Sequence, residues 1–175
     1  MDKTIICPHC GSSETEEREK FYFCRDCSRE FGRDKETDDG EPLADALIGI
    51  RLGTGDHRSG SLCLRIAYDA ETDTVVYEVY KAVDGKIQKN ADVLENKAWN
   101  KIKNKLINEC FVADWDRYYY PVNDGSPITP ENLWRLDLIV GDDRQITFRG
   151  YDAFPPHYKK MMALFKPMFD QLKKA

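Results

Sequence analysis

No run of about eighteen apolar residues occurs in this chain, so nothing in it reads as a membrane-spanning helix. The sequence reaches Cys7 with no apolar stretch before it, so no secretory leader is expected and a reducing cytoplasm is the expected setting. Histidine is scarce, at three in 175 residues. Only His57 and His157 lie beyond residue 33, and a catalytic histidine needs a nucleophile or metal beside it. A phosphate-cradling loop is also lacking: Gly53-Thr54-Gly55 and Gly60 punctuate a turn-rich stretch, but no G-x-x-x-x-G-K follows a strand. The charge excess is small and acidic, −5 with 33% charged residues, which argues against a general nucleic-acid coat. There is no internal repeat and no low-complexity tract.

What the chain does have is cysteine in a telling arrangement. Four of its six cysteines form two C-x2-C pairs, Cys7 with Cys10 and Cys24 with Cys27, separated by the thirteen residues from Gly11 to Phe23. Each pair can present two thiolates from one tight turn, and two pairs complete the tetrahedron of a structural zinc site. Gly11 suits the backbone angles of such a knuckle, and Pro8 stiffens the first turn. Two disulfides would require an oxidising compartment. A redox pair of the thioredoxin type would sit beside a βαβ pattern, which is lacking. His9 lies between two cysteines whose shell four thiolates already fill. A catalytic zinc would keep one position open. A segment of about thirty residues cannot bury enough surface to fold alone. Zinc is expected to supply the deficit, on the order of 10–16 kcal/mol in comparable peptides.

The run Cys7-Pro8-His9-Cys10-Gly11-Ser12, with Tyr22-Phe23-Cys24-Arg25-Asp26-Cys27 and then Phe31, resembles the zinc ribbons of transposase-type and transcription-factor-type proteins. The resemblance covers about a fifth of the chain. It implies a four-thiolate zinc and a ribbon fold. Ribbons of this kind bind DNA, RNA or protein, or brace a neighbouring domain. Where they usually carry glycine after the last cysteine, this chain has Ser28, which implies modest backbone strain.

Residues 1–33 therefore read as a zinc ribbon, and the acidic, Gly- and Pro-bounded stretch 34–42 as a linker with little reason to pack. Residues 43–175 read as an α+β domain. Residues 43–52, 61–68 and 74–81 form three strands, with the first half of 43–52 also open to a short turn. Leu62, Leu64, Ile66 and Tyr68 share one face of the second; Val75, Tyr77 and Val79 share one face of the third. Residues 90–109 form a helix, with Leu94, Ala98, Ile102 and Leu106 repeating every four positions and Asp92 with Glu95 at capping-box spacing. After an irregular stretch 111–132, residues 134–140 and 145–149 form a hairpin. A last helix buries Tyr158, Met161, Phe165, Met168 and Leu172, with Pro167 kinking it or ending its regular part. The order β-β-β-α-β-β-α predicts a mainly antiparallel five-stranded sheet with both helices on one face.

Other chemistry is sparse. Cys63 and Cys110 read as small buried hydrophobes. Asp142-Asp143 reads as a turn, whereas Asp114 with Asp116 forms an acidic pair. Trp115 and Tyr118-Tyr119-Tyr120, with Arg117 among them, either roof the sheet or anchor a partner. Lysines gather on both helices, where solvated faces are the plainer reading. The expectation is a binding or regulatory module with a structural zinc and a protein partner. Two alternatives stay open: a nucleic-acid accessory factor acting through the ribbon, and an enzyme with a site in the α+β domain built on His57, Cys63 or acidic groups.

Overall fold

A computed structural model describes residues 4–37, 40–56, 60–121, 132–141 and 144–173. Three short strands open the chain: β1 (Thr15–Arg18), β2 (Phe21–Cys24) and β3 (Glu30–Phe31). They form an antiparallel sheet in the order β1-β2-β3. Cys24 ends β2, so the second knuckle grows directly out of a strand.

A single turn of helix, α1 (Leu43–Ala46), leads into β4 (Leu47–Asp56), β5 (Gly60–Asp69), β6 (Thr74–Val83) and β7 (Lys86–Leu94). Helix α2 (Asn96–Asn108) follows, then a 3-10 turn at Val112–Asp114 and the short β8 (Tyr118–Tyr119). The chain finishes with β9 (Leu133–Val140), β10 (Arg144–Tyr151) and α3 (Tyr158–Phe169), which tightens into 3-10 helix at Asp170–Lys173. The main sheet has seven strands in the order β7-β6-β5-β4-β9-β10-β8. Every pairing in it is antiparallel except β10 with β8.

Register puts the apolar positions on one face. Ile50 lies opposite Ile66 and Leu138, and Leu52 opposite Leu64 and Leu136. Tyr77 and Val79 continue these rows on β6. Trp99, Ile102 and Leu106 of α2 and Met161, Phe165 and Met168 of α3 enter the same core. Burying each such side chain contributes about 1.5–3 kcal/mol. The regular helix carries two residues past Pro167 and ends at Phe169.

The class is the expected α+β one, but the sheet has seven strands rather than five. The predicted helix over 90–109 merges two elements. Its first part, through Leu94, is the end of β7, and α2 begins at Asn96 with no side-chain cap from Asp92 or Glu95. β7 escapes periodicity because it is an edge strand wetted on both sides, with Ile87 and Val93 exposed on one face and Gln88 and Asp92 on the other. Its true signal is Asp84-Gly85, whose φ values of 50° and 73° make the tight turn that joins hairpin strands. The second added strand, β8, is two residues long and falls inside the stretch read as irregular.

Candidate metal centre and the open face of the sheet

The Sγ atoms of Cys7, Cys10, Cys24 and Cys27 all lie within 4.8 Å of one another. Cys7 to Cys27 is 3.7 Å and Cys10 to Cys24 is 3.6 Å. Four sulfurs set tetrahedrally about 2.3 Å from one metal would be about 3.8 Å apart, so the donor set fits such an ion. Backbone amides converge on the sulfurs: those of Cys10 and His9 on Cys7, those of Cys27 and Asp26 on Cys24, and that of Arg29 on Cys27. Burial pushes the Cys7 thiol up to about 12. At Cys24 the same burial is outweighed by the Cys27 amide and the Cys10 thiol, which bring it down to about 7. Gly11 takes φ 79° in the first knuckle, and Ser28 takes φ 57° after the second, where the resembling ribbons place glycine. His9 is not part of the cluster.

The small sheet and its cysteine cluster are packed against the rest of the chain. Phe111 joins Cys7, Cys24 and Phe31 in one buried cluster, with Tyr22 stacked on Phe31 at 5.4 Å. His157 places its ring 5.6 Å from Phe111, and its Nε2 lies 2.8 Å from the Ile6 carbonyl. Burial holds the His157 pKa below its ordinary value, with the Lys160 charge acting the same way. The Asp114–Asp116 pair serves this junction. Asp114 accepts the Gly32 amide at 2.9 Å and pairs with Lys35 at 3.0 Å, while Asp116 pairs with Arg29 at 3.3 Å. In the stretch read as a linker, Glu36 bridges Pro42 and the Leu43 amide donates to the Lys35 carbonyl.

The other candidate residues separate by burial. Trp115 is buried, donates Nε1–H to the Cys110 carbonyl at 2.9 Å and meets Trp134 and Phe148 edge-on. Cys110 is fully buried, and burial pushes its thiol up to about 11. Two of the helix lysines have local tasks: Lys160 holds Glu109, and Lys166 pairs with Asp170. His57 and Asp142-Asp143 lie outside the described residues, as do positions 122–131 of the stretch read as irregular.

What sequence reasoning missed is the second face of the large sheet, which no helix covers among the described residues. Register lines up its side chains in rows. One row runs Tyr118, Arg149, Arg135, Gly53, Cys63, Tyr80 and Lys89. The next brings Arg51 beside Arg65 and Asp137. Asp137 is buried; it accepts Arg135 Nε at 2.9 Å, Thr147 Oγ1 at 2.8 Å and Gln145 Nε2 at 3.0 Å. The guanidinium of Arg149 lies 5.0 Å from the Tyr118 ring centre, and Tyr120 packs on Tyr151 at 4.9 Å. Between these walls lies a furrow of about 610 Å³, floored by Gly53, Gly55, Ser61 and Cys63. The outward arginines of alternating strands were the available signal, but only the register places them together. No protein-family model and no curated protein sequence matches the chain.

Proposed function

We propose that this chain is a zinc-binding, non-catalytic module that meets a protein partner through the open face of its large sheet. Cys7, Cys10, Cys24 and Cys27 hold the zinc as a structural ion, and the ribbon it organises braces the α+β domain. The observation that carries this reading is the placement of Phe111. The aromatic core of the ribbon takes in a residue of the second domain, so the surface a free ribbon would offer to a macromolecule is spent on its neighbour. The bare face of the sheet is left for recognition. Arginine and tyrosine, both present on it, are among the residues enriched at the hot spots of protein interfaces.

Metal analysis of purified protein, with thiol titration before and after a chelator, tests the first half of the proposal. One zinc per chain and four thiols newly reactive on chelation are expected. The second half is tested by mapping hydrogen exchange in the presence of short acidic peptides. Protection confined to β4, β5, β9 and β10 is expected. Protection of the ribbon with an unchanged sheet would place recognition in the ribbon instead.

A further inference from the structure

The charge on the open face differs in sign from that of the chain. The whole sequence carries −5, yet Arg51, Arg65, Lys89, Arg135 and Arg149 on this face stand against Asp69 at its margin and, further in, against Glu78 and Asp137. The inner two carboxylates are committed. Glu78 takes Lys89 at 2.9 Å and Arg65 at 3.9 Å, and Asp137 takes Arg135. Among the described residues, Arg51 and Arg149 have no carboxylate partner, and both side chains stay exposed. Arg149 lines the furrow, and Arg51 lies on the same face just beyond its lining. Arg51 precedes Gly53 by two residues on β4, and Arg149 lies two strands away in the row that contains Gly53.

The furrow has a size typical of ligand sites. Its walls are largely apolar, with Tyr120, Tyr151 and Leu133 on one side and Ala82 and Val83 on the other, and its charged lining is Arg135 and Arg149 with Asp56 and Asp84. Nothing in the fold requires glycine at 53. A Cβ there would meet only the Cys63 sulfur, at 3.9 Å. Glycine in the interior of a strand weakens it, and one role of such a residue is to let a ligand approach closely.

Resting on the proposed role of this face, we infer that it binds an extended acidic segment of a partner protein, with one apolar side chain of that segment seated in the furrow over Gly53. Arg51 and Arg149 take carboxylates on either side of that anchor, a fork geometry that suits them. A single-stranded nucleic acid fits less well. Its bases need free aromatic faces on which to stack, and Arg149 takes one face of the Tyr118 ring while Tyr120 packs on Tyr151, leaving each side chain about half exposed.

The test uses the full zinc-loaded chain and fluorescence anisotropy. The probes are a short labelled peptide of glutamates around one tryptophan, its alanine-for-tryptophan and lysine-for-glutamate versions, and a labelled oligouridylate. The acidic tryptophan peptide is expected to bind tightest, more weakly as salt rises. Arg51→Gln and Arg149→Gln should each weaken it about tenfold. Gly53→Val should erase the preference for tryptophan over alanine, without lowering the melting temperature, because valine favours strand. Tyr120→Ala, at an exposed wall, should weaken the same preference with no effect on folding.

If Gly53→Val and Tyr120→Ala both leave the tryptophan preference intact while the arginine variants still weaken binding, the anchor lies elsewhere. That result overturns this inference and leaves the sheet face as the binding surface. Tighter binding of oligouridylate overturns the acidic peptide and the protein partner together. Self-association abolished by Arg51→Gln would make a second copy the occupant and overturn the inference, as would binding of no probe at low salt by folded, zinc-loaded protein.

Discussion

Phe111, which follows helix α2, completes the buried cluster of Cys7, Cys24 and Phe31, meeting the Phe31 ring edge-on with centroids 5.1 Å apart. It does so from a left-handed backbone, φ 52°, a conformation unfavourable for a bulky residue. Gly32 lies against its ring, where a Cβ would come within 3.0 Å. Packing on both sides therefore holds a residue in a shape it would not choose.

Replacing that ring should loosen two units at once. Phe111→Ala is expected to cost about 3–5 kcal/mol, the range for deleting a buried aromatic ring, read from denaturant unfolding of the zinc-loaded protein. Because Phe31 and Phe111 touch, the double variant with Phe31→Ala should cost less than the two single losses added together. A loss below about 1 kcal/mol for Phe111→Ala would mean that the ribbon and the domain hold together without it.

Metal removal should have an effect that reaches beyond the ribbon. A chelator is expected to unfold residues 4–33 and to deprotect residues 111–119, which the ribbon holds through Phe111, Asp114 and Asp116. Strands β4, β5 and β6, whose core rows contain no ribbon residue, should keep their protection. Hydrogen exchange with and without the chelator separates the three regions. Protection of 111–119 that survives chelation would show the junction to be independent of the metal.

Ser28 offers a gain rather than a loss. Its φ of 57° costs a residue with a side chain about 1–2 kcal/mol relative to glycine. Ser28→Gly should therefore stabilise the ribbon by about 1 kcal/mol, seen as a higher chelator concentration at half-release of the metal. A lower half-release concentration would mean that the serine side chain contributes something that the backbone strain conceals.

The C-x2-C spacing made the sulfur cluster legible because a knuckle is a local structure: each pair is set by one turn, whatever the rest of the chain does. Strands β5, β6, β9 and β10 were legible for a related reason. Each has one buried face, so Leu64 and Ile66, or Leu136 and Leu138, alternate with polar neighbours. β7 has no buried face, and the four-residue spacing from Leu94 into α2 hid the junction between strand and helix. The arginine-lined face lies beyond any local pattern. Arg51, Arg135 and Arg149 come from three strands, and only hydrogen-bonded register brings them together. Phe111 is a similar case, since nothing near it in the sequence tells that its ring belongs to the ribbon.

His157 makes the junction sensitive to acid. Its Nε2 lies 2.8 Å from the Ile6 carbonyl, which a neutral ring serves by donating its Nε2 proton. Burial, with the Lys160 charge, lowers its pKa in the folded protein below the ordinary 6.5. The unfolded chain therefore binds a proton more readily, and stability rises with pH in that window. The contribution of the neutral ring is complete above about pH 6.5 and declines as the pH falls from there toward the lower folded pKa. Loss of metal in acid acts in the same direction through the thiolates, so wild type alone cannot isolate the histidine. His157→Gln can: the glutamine amide donates to the same carbonyl and does not titrate. Both proteins lose metal alike, and the stability of wild type relative to the variant should fall as the pH drops below about 6.5. A difference that stays flat from neutral pH into that range would remove His157 as a source of acid sensitivity and leave the thiolates alone responsible.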